Sequence, residues 1–175
     1  TEAYTYIYGT ADLRMPKQGH LARAPAGQVQ KPWQYFTGAG WSAAPAEARP
    51  FLSGVSTQYA VIQAGSGYYL FTMDGRIPFS DEIVTYRADL PWGPWHGPVV
   101  IYKAPEATQS VAAYNPFVHT QFSVDSQVLV SYNLNHITDP GAVYRDAAIY
   151  RPRFIRVDMA AVARRFDAVR KGANR

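Results

Sequence analysis

The sequence repeats one short pattern at a fixed spacing, and this repeat constrains the fold more than any other feature. Residues 55–61 read V-S-T-Q-Y-A-V and residues 118–124 read V-H-T-Q-F-S-V, which places the same V-x-T-Q-aromatic-small-V pattern 63 positions apart. Tyr86-Arg87 and Tyr150-Arg151 are 64 positions apart, and Arg23 precedes Arg87 by the same interval. A period of this size indicates a propeller or a repeat array.

Each repeat unit is predicted to form four short strands. The strands of the complete unit are predicted at 54–61, 67–74, 82–88 and 97–102. Gly65 and Asp74-Gly75 supply the residues that favour tight turns between them. A four-stranded antiparallel sheet repeated about an axis is the blade of a β-propeller.

The phase at which the chain enters the repeat predicts an incomplete ring. The predicted units are a blade fragment at 1–50, blades at 51–110 and 111–157, and a short helix at 158–171 with Asp158 as its N-cap. These units make about two and two-thirds blades, whereas closed propellers have at least four. We therefore predict one all-β domain over 1–175, part of a β-propeller with a short C-terminal α-helix. A missing N-terminal half or another chain would complete the ring.

Composition supports an all-β chain and narrows its chemistry. The 13 tyrosines and the 14% aromatic content suit pleated, half-buried surfaces. The chain has no cysteine, which excludes disulfides and thiolate chemistry. The net charge of +4 reflects basic residues crowded near the C-terminus, so no nucleic-acid partner is predicted. No apolar run approaches the ~20 residues of a membrane span, and the opening TEAYTYIYGT does not resemble a signal peptide.

Several stretches resemble the C-terminal half of a family of secreted bacterial five-bladed propellers long labelled as a domain of unknown function. They read W-Q-Y-F-T-G at 33–38, V-S-T-Q-Y at 55–59, W-G-P-W at 92–95, V-S-Y-N-L-N at 130–135 and Y-R-P-R-F at 150–154. Members of that family are recognised as endo-D-arabinanases. The resemblance implies a partial five-bladed propeller from a secreted, glycoside-hydrolase-like protein that binds glycan in a central funnel. No cofactor is predicted. It also implies that the absent N-terminal blades carry at least part of the catalytic carboxylate set.

Five residues are candidates for substrate binding. Ser56, Gln58, His119 and Gln121 belong to the first strands of their units, which are predicted to line the funnel, and Asn133 lies on a neighbouring strand. These side chains can hydrogen-bond to sugar hydroxyls, but they cannot supply the two carboxyl groups that glycoside hydrolysis requires. No catalytic residue is therefore assigned. His119 is singled out because the repeat has Ser56 in its place. The alternative is a channel-lining histidine whose hydrogen bonds are met by its neighbours.

Two other functions remain open from the sequence. The chain is alternatively a non-catalytic module, a lectin or scaffold that binds glycan or a protein. A third interpretation is a basic surface module whose C-terminal helix docks on a partner. The remaining histidines, His20, His96 and His136, lack metal-ligand spacing, so no metal site is predicted.

Overall fold

The computed structural model describes residues 3–172, which form three separate antiparallel sheets that follow one another along the chain. The first sheet contains β1 (Tyr4–Ala11), β2 (Gln18–Pro25), β3 (Gln34–Phe36), β4 (Trp41–Ser42) and the two-residue β5 (Leu52–Ser53), which pairs with β2. The second contains β6 (Ala60–Ala64), β7 (Gly67–Met73), β8 (Glu82–Ala88) and β9 (His96–Lys103). The third contains β10 (Val111–Val124), β11 (Gln127–His136) and β12 (Arg153–Asp158).

Two α-helices lie in the part of the chain that forms the third sheet. The short α1 (Ala142–Arg145) lies between β11 and β12, and α2 (Met159–Gly172) follows β12. The prediction of an all-β chain with a short C-terminal helix is thus confirmed. None of the sheets in the described part of the chain closes into a barrel. No helix within residues 3–172 is long and apolar enough to cross a membrane.

The first strand predicted for the complete unit is wrong, although the other three lie close to β7, β8 and β9. Residues 55–59 are irregular, and the strand begins at Ala60. The Ser56 amide donates to Thr72 Oγ1 at 2.8 Å, and the Ser56 hydroxyl donates to the Gln58 carbonyl. Local side-chain bonds of this kind compete with ladder pairing. In the second copy of the pattern, by contrast, Val118 pairs with Val130 inside the third sheet.

The repeat match between Tyr86-Arg87 and Tyr150-Arg151 is also wrong. Tyr86 is buried in β8, whereas Tyr150 ends a 3₁₀ turn over Ala147–Tyr150 and is exposed. The carboxylate of Asp146 caps that turn by accepting from the Ala148 amide at 2.9 Å. β12 consequently begins only at Arg153, and the third sheet has three strands where four were predicted.

The sheets pack face to face in chain order. Alternation along β7 sends Leu70 into a cluster with Phe51 and Tyr59 on the side of the first sheet. The neighbouring Phe71 joins a cluster with Val118 of the third sheet. Burying each such side chain stabilises the fold by about 1.5–3 kcal/mol. The second sheet is therefore covered on both of its faces.

Helix α2 is capped as predicted and packs against the second and third sheets. The Asp158 carboxylate accepts from the amides of Ala160 and Ala161 at 2.9 and 3.3 Å. Phe166 is buried, with its ring centroid 6.2 Å from that of Tyr69 on β7. Of the C-terminal basic cluster, Arg175 and the side chain of Lys171 lie outside the described residues.

Candidate functional site

A large cleft opens at one end of the stack of sheets, with a volume of about 1090 Å³. Its walls come from the β1–β2, β7–β8 and β11–β12 connections, from the segment that leads into β6, and from residues on β10 and at the ends of β7 and β11. Loops held by a rigid scaffold are the usual carriers of binding residues. The polar side chains that line this cleft belong to Lys17, Ser56, Thr57, Gln58, Asp74, Tyr114, Asn115, Asn135, His136, Tyr144 and Tyr150.

The carboxylate of Asp74 is already committed to a neighbouring arginine. Asp74 is 1% exposed and accepts from the Arg76 amide, Nε and Nη2 at 3.1, 2.8 and 2.7 Å. Hydrogen bonds from Arg76 hold the pKa of Asp74 below its usual value, against the opposing effect of burial. Asp74 is thus an ionised, paired group and not a proton donor. Among the residues described, it is the only carboxylate that lines the cleft.

His136 lines the cleft in a defined tautomer. Its Nδ1 accepts from the Asp139 amide at 3.1 Å, so the proton of the neutral ring lies on Nε2. The Asp139 carboxylate in turn accepts from the Gly141 amide at 3.0 Å and from Arg145, which fixes the turn after β11. The cleft therefore has three neighbouring kinds of hydrogen-bonding group: the Nε2–H donor of His136 and the side-chain amides of Asn115 and Asn135.

Exposed aromatic and apolar side chains accompany these polar groups. Ile77 and Phe79 come from the β7–β8 connection, Tyr144 and Tyr150 from the β11–β12 connection, and Met15 from the β1–β2 connection. Phe79 has a φ of 54°, a left-handed conformation that is uncommon for a bulky residue. Clustered exposed apolar side chains around polar groups mark an interaction site.

The structure places two of the five predicted binding residues in the cleft. Ser56 and Gln58 line it, and the Ser56 hydroxyl also lies 2.9 Å from Thr72 Oγ1. The other three lie elsewhere. Gln121 is exposed on β10 and Asn133 lies on β11 opposite Tyr114.

His119 lies on the face of the third sheet that points away from the second sheet. Its Nε2 is 2.8 Å from the Ser131 hydroxyl oxygen. Its ring centroid lies 5.2, 6.4 and 6.0 Å from those of Phe117, Phe122 and Phe154. The ring therefore sits within an aromatic cluster, apart from Ser56 and Gln58.

Sequence reasoning did not select Asn115, Asn135 or His136 for this cleft. His136 had been considered only as a metal ligand, and no group of three His, Cys, Asp or Glu side chains able to hold a metal occurs among residues 3–172. Asn135 shares a strand with Asn133, two positions away, and that spacing was the available signal. Asn115, with a φ of 56°, lies at an irregularity of β10 that repeat matching does not predict.

The fold and the site thus define a class of all-β protein in which antiparallel sheets stack and an aromatic-lined cleft opens at one end of the stack. Residues 1–161 match the family described as "Domain of unknown function (DUF5005)", and the chain belongs to that family. None of the curated proteins matches the chain.

The fold is shared with part of a larger solved protein. The chain is similar to the crystal structure of a "putative hydrolase" from Bacteroides ovatus ATCC 8483, with a TM-score of 0.72 and 19% sequence identity. The similarity covers 88% of this chain and 41% of that one, so the chain spans less than half of that protein.

Proposed function

We propose that the end cleft binds a polysaccharide and that the chain is the substrate-binding part of a glycoside-hydrolase-like β-propeller. The observation that carries this proposal is the combination of exposed aromatic side chains and neutral hydrogen-bonding side chains in one cleft. Aromatic rings give flat apolar surfaces for the C–H faces of sugars. Amide, hydroxyl and imidazole groups can both donate to and accept from sugar hydroxyls.

The cleft has few charged side chains, which suits a neutral sugar polymer. The charge of Asp74 is balanced by Arg76, and Lys17, which keeps its charge, donates from Nζ to Thr57 Oγ1. The cleft also has the mixed apolar and polar lining typical of ligand pockets. The sequence resemblance implies an arabinan, and an arabinan is a neutral polysaccharide of the kind that such a lining can bind. Arabinan is a cell-wall polymer, so we propose that the protein acts outside the cytoplasm.

The carboxylates of the cleft are the reason for assigning binding, but not hydrolysis, to this chain. Glycoside hydrolysis uses two carboxyl groups about 5–9.5 Å apart. Asp74 is the one carboxylate lining the cleft within the described residues, and it is paired with Arg76. Hydrolysis would therefore draw its acid and base from protein outside these 175 residues. The stacking of three antiparallel sheets in chain order supports the propeller interpretation, in which further sheets complete the ring.

Binding of oligosaccharides by isothermal titration tests the proposal. We expect arabinan oligosaccharides to bind, and Phe79→Ala and Tyr144→Ala each to weaken binding about tenfold, a change of about 1.4 kcal/mol. Val169→Ala, at an exposed apolar position on α2, is the matched control and should leave binding unchanged. Absence of binding to arabinan and arabinogalactan, or equal affinity in all variants, would contradict the proposal.

A non-catalytic lectin is the second candidate, and it is favoured by the pairing of Asp74 with Arg76. The two functions differ in product formation. Release of oligosaccharides from arabinan by the complete gene product would support hydrolysis. Binding without any release would favour the lectin.

A further inference from the structure

We propose that Arg153 is a positioning residue for the end cleft, because it fixes the turn that presents the ring of Tyr150 to a bound glycan. The inference rests on the proposed function, since it concerns how the same cleft is held ready for its ligand. Tyr150 lines the cleft, whereas Arg153 does not. Arg153 therefore acts through Tyr150 and not by touching the sugar.

Arg153 holds the backbone on both sides of Tyr150. Its Nη2 donates to the Ala148 carbonyl at 3.1 Å, and its Nη1 donates to the Arg151 carbonyl at 2.9 Å. These two carbonyls lie before and after Tyr150 along the chain. The planar fork of a guanidinium group fixes two such acceptors relative to each other, which a lysine ammonium does not do. The position of Tyr150 thus depends on the fork of Arg153.

A third donor connects this fork to the hydrophobic core. Arg153 Nε donates to Glu106 Oε1 at 3.1 Å, and Glu106 Oε2 accepts from the Tyr132 hydroxyl at 2.8 Å. Tyr132 is 1% exposed, and its ring centroid lies 5.7 Å from that of Tyr102 on β9. Burial acts to raise the pKa of Glu106, but the hydrogen bonds from Tyr132 and Arg153 lower it overall. An ionised carboxylate, itself held by a buried tyrosine, therefore anchors Arg153.

The turn that carries Tyr150 depends on support from outside the turn. It is a 3₁₀ helix of four residues, Ala147–Tyr150, and hydrogen bonds in such helices have poor geometry. Asp146 caps its first end, and Arg153 binds the Ala148 carbonyl within it. The side chain of Tyr150 is 56% exposed, so packing covers less than half of it. A ring that is held in place before the ligand arrives loses less conformational entropy on binding.

Amide exchange of the ligand-free chain tests whether Arg153 fixes the turn. Arg153→Lys keeps the positive charge opposite Glu106 but removes the fork. The two amides that donate within the turn, those of Ile149 and Arg151, should then exchange at least about tenfold faster. Arg156→Lys, at an exposed position on the same strand, is the matched control and should leave both rates unchanged.

Titration with arabinan oligosaccharides tests whether the turn controls binding. Arg153→Lys should weaken binding by about two- to tenfold, which is the effect expected when one more side chain must be ordered by the ligand. Arg156→Lys should bind like the wild type. In a Tyr150→Ala background, Arg153→Lys should have no further effect, because the ring that it positions is absent. In a Phe79→Ala background its effect should persist in full, since Phe79 lies on the separate β7–β8 connection.

Glu106→Gln is the second test variant, because it keeps an oxygen for Tyr132 but removes the charge beside Arg153. It should change the exchange rates and the affinity in the same direction as Arg153→Lys. Unchanged exchange in both variants would overturn the inference, as would equal affinities of Arg153→Lys and the wild type. A loss of affinity that persists in the Tyr150→Ala background would also overturn it.

Two further measurements separate this inference from other causes. Urea unfolding of each variant shows that the titrations report on folded protein. Failure of the wild type to bind arabinan oligosaccharides would contradict the proposed function. The exchange rates would still decide whether Arg153 fixes the turn, because they are recorded without ligand.

Discussion

Asp74 shows how a single residue shapes the cleft. Its side chain is almost fully buried at the end of β7, yet it lies in an Asp-Gly turn that sequence reasoning explained by turn chemistry alone. The structure adds the bidentate pair with Arg76. Planar pairs of this type are stronger than single hydrogen bonds. The pair holds the β7–β8 connection, which carries Ile77 and Phe79 into the cleft.

Replacing Asp74 with asparagine should destabilise the fold by about 1–3 kcal/mol, because an amide NH₂ would then oppose the donors of Arg76. The Arg76 side chain is half exposed, so solvent screening places the effect toward the lower end. Urea unfolding at pH 7 measures the change. The control is Asp81→Asn, which removes a more exposed pair with Lys103 and should cost less than about 1 kcal/mol. Equal effects of the two substitutions would contradict this role.

The same residue predicts how stability depends on pH. The pKa of Asp74 is lower in the folded chain than in the unfolded chain. The stabilisation that its ionised carboxylate gives the fold is therefore fully present above the unfolded pKa of about 3.9. That contribution is lost as the pH falls through the folded value. The difference in unfolding free energy between wild type and Asp74→Asn should therefore shrink between pH 5 and pH 2. A difference that stays constant over that range would show that the pair is not the cause.

At the scale of elements, the sequence predicts regular strands well and irregular segments poorly. β7, β8 and α2 lie within a residue or two of their predicted positions, because alternation, turn residues and a helix cap mark them. The strand predicted over 55–59 is absent because side chains there form local hydrogen bonds that the V-x-T-Q pattern does not reveal. The strand predicted before β12 is absent because a capped 3₁₀ turn occupies that segment.

The cap of α2 is an element whose contribution can be tested. Asp158 accepts hydrogen bonds from Ser126 and from the amides of Ala160 and Ala161, and these bonds lower its pKa. Asp158→Ala should lower the melting temperature and increase amide exchange in the first turn of α2, because two helix donors lose their acceptor. Asp158→Ser retains a capping oxygen and should recover most of the loss. Identical melting curves for wild type and the alanine variant would contradict the capping role.

At the scale of the whole molecule, the sequence indicated an ordered series of sheets, and the structure shows three of them stacked in chain order. The cleft was only partly predictable. It is assembled from connections about 60 residues apart and from residues on β10 and β11, and the repeat does not predict which side chains occur at these positions. Ser56 and Gln58 were selected because they belong to the repeat. Asn115 and His136 were missed because they do not.

The central claim is that the end cleft, and not another surface, binds glycan. Amide chemical shifts of the ¹⁵N-labelled chain, recorded during titration with arabinan oligosaccharides, test this most directly. The account predicts shifts at Ser56, Gln58, Asn115 and His136. The amides of His119 and Phe154, on the face of the third sheet that points away from the second sheet, should be unchanged. Shifts confined to that face, or no shifts at saturating oligosaccharide, would contradict it.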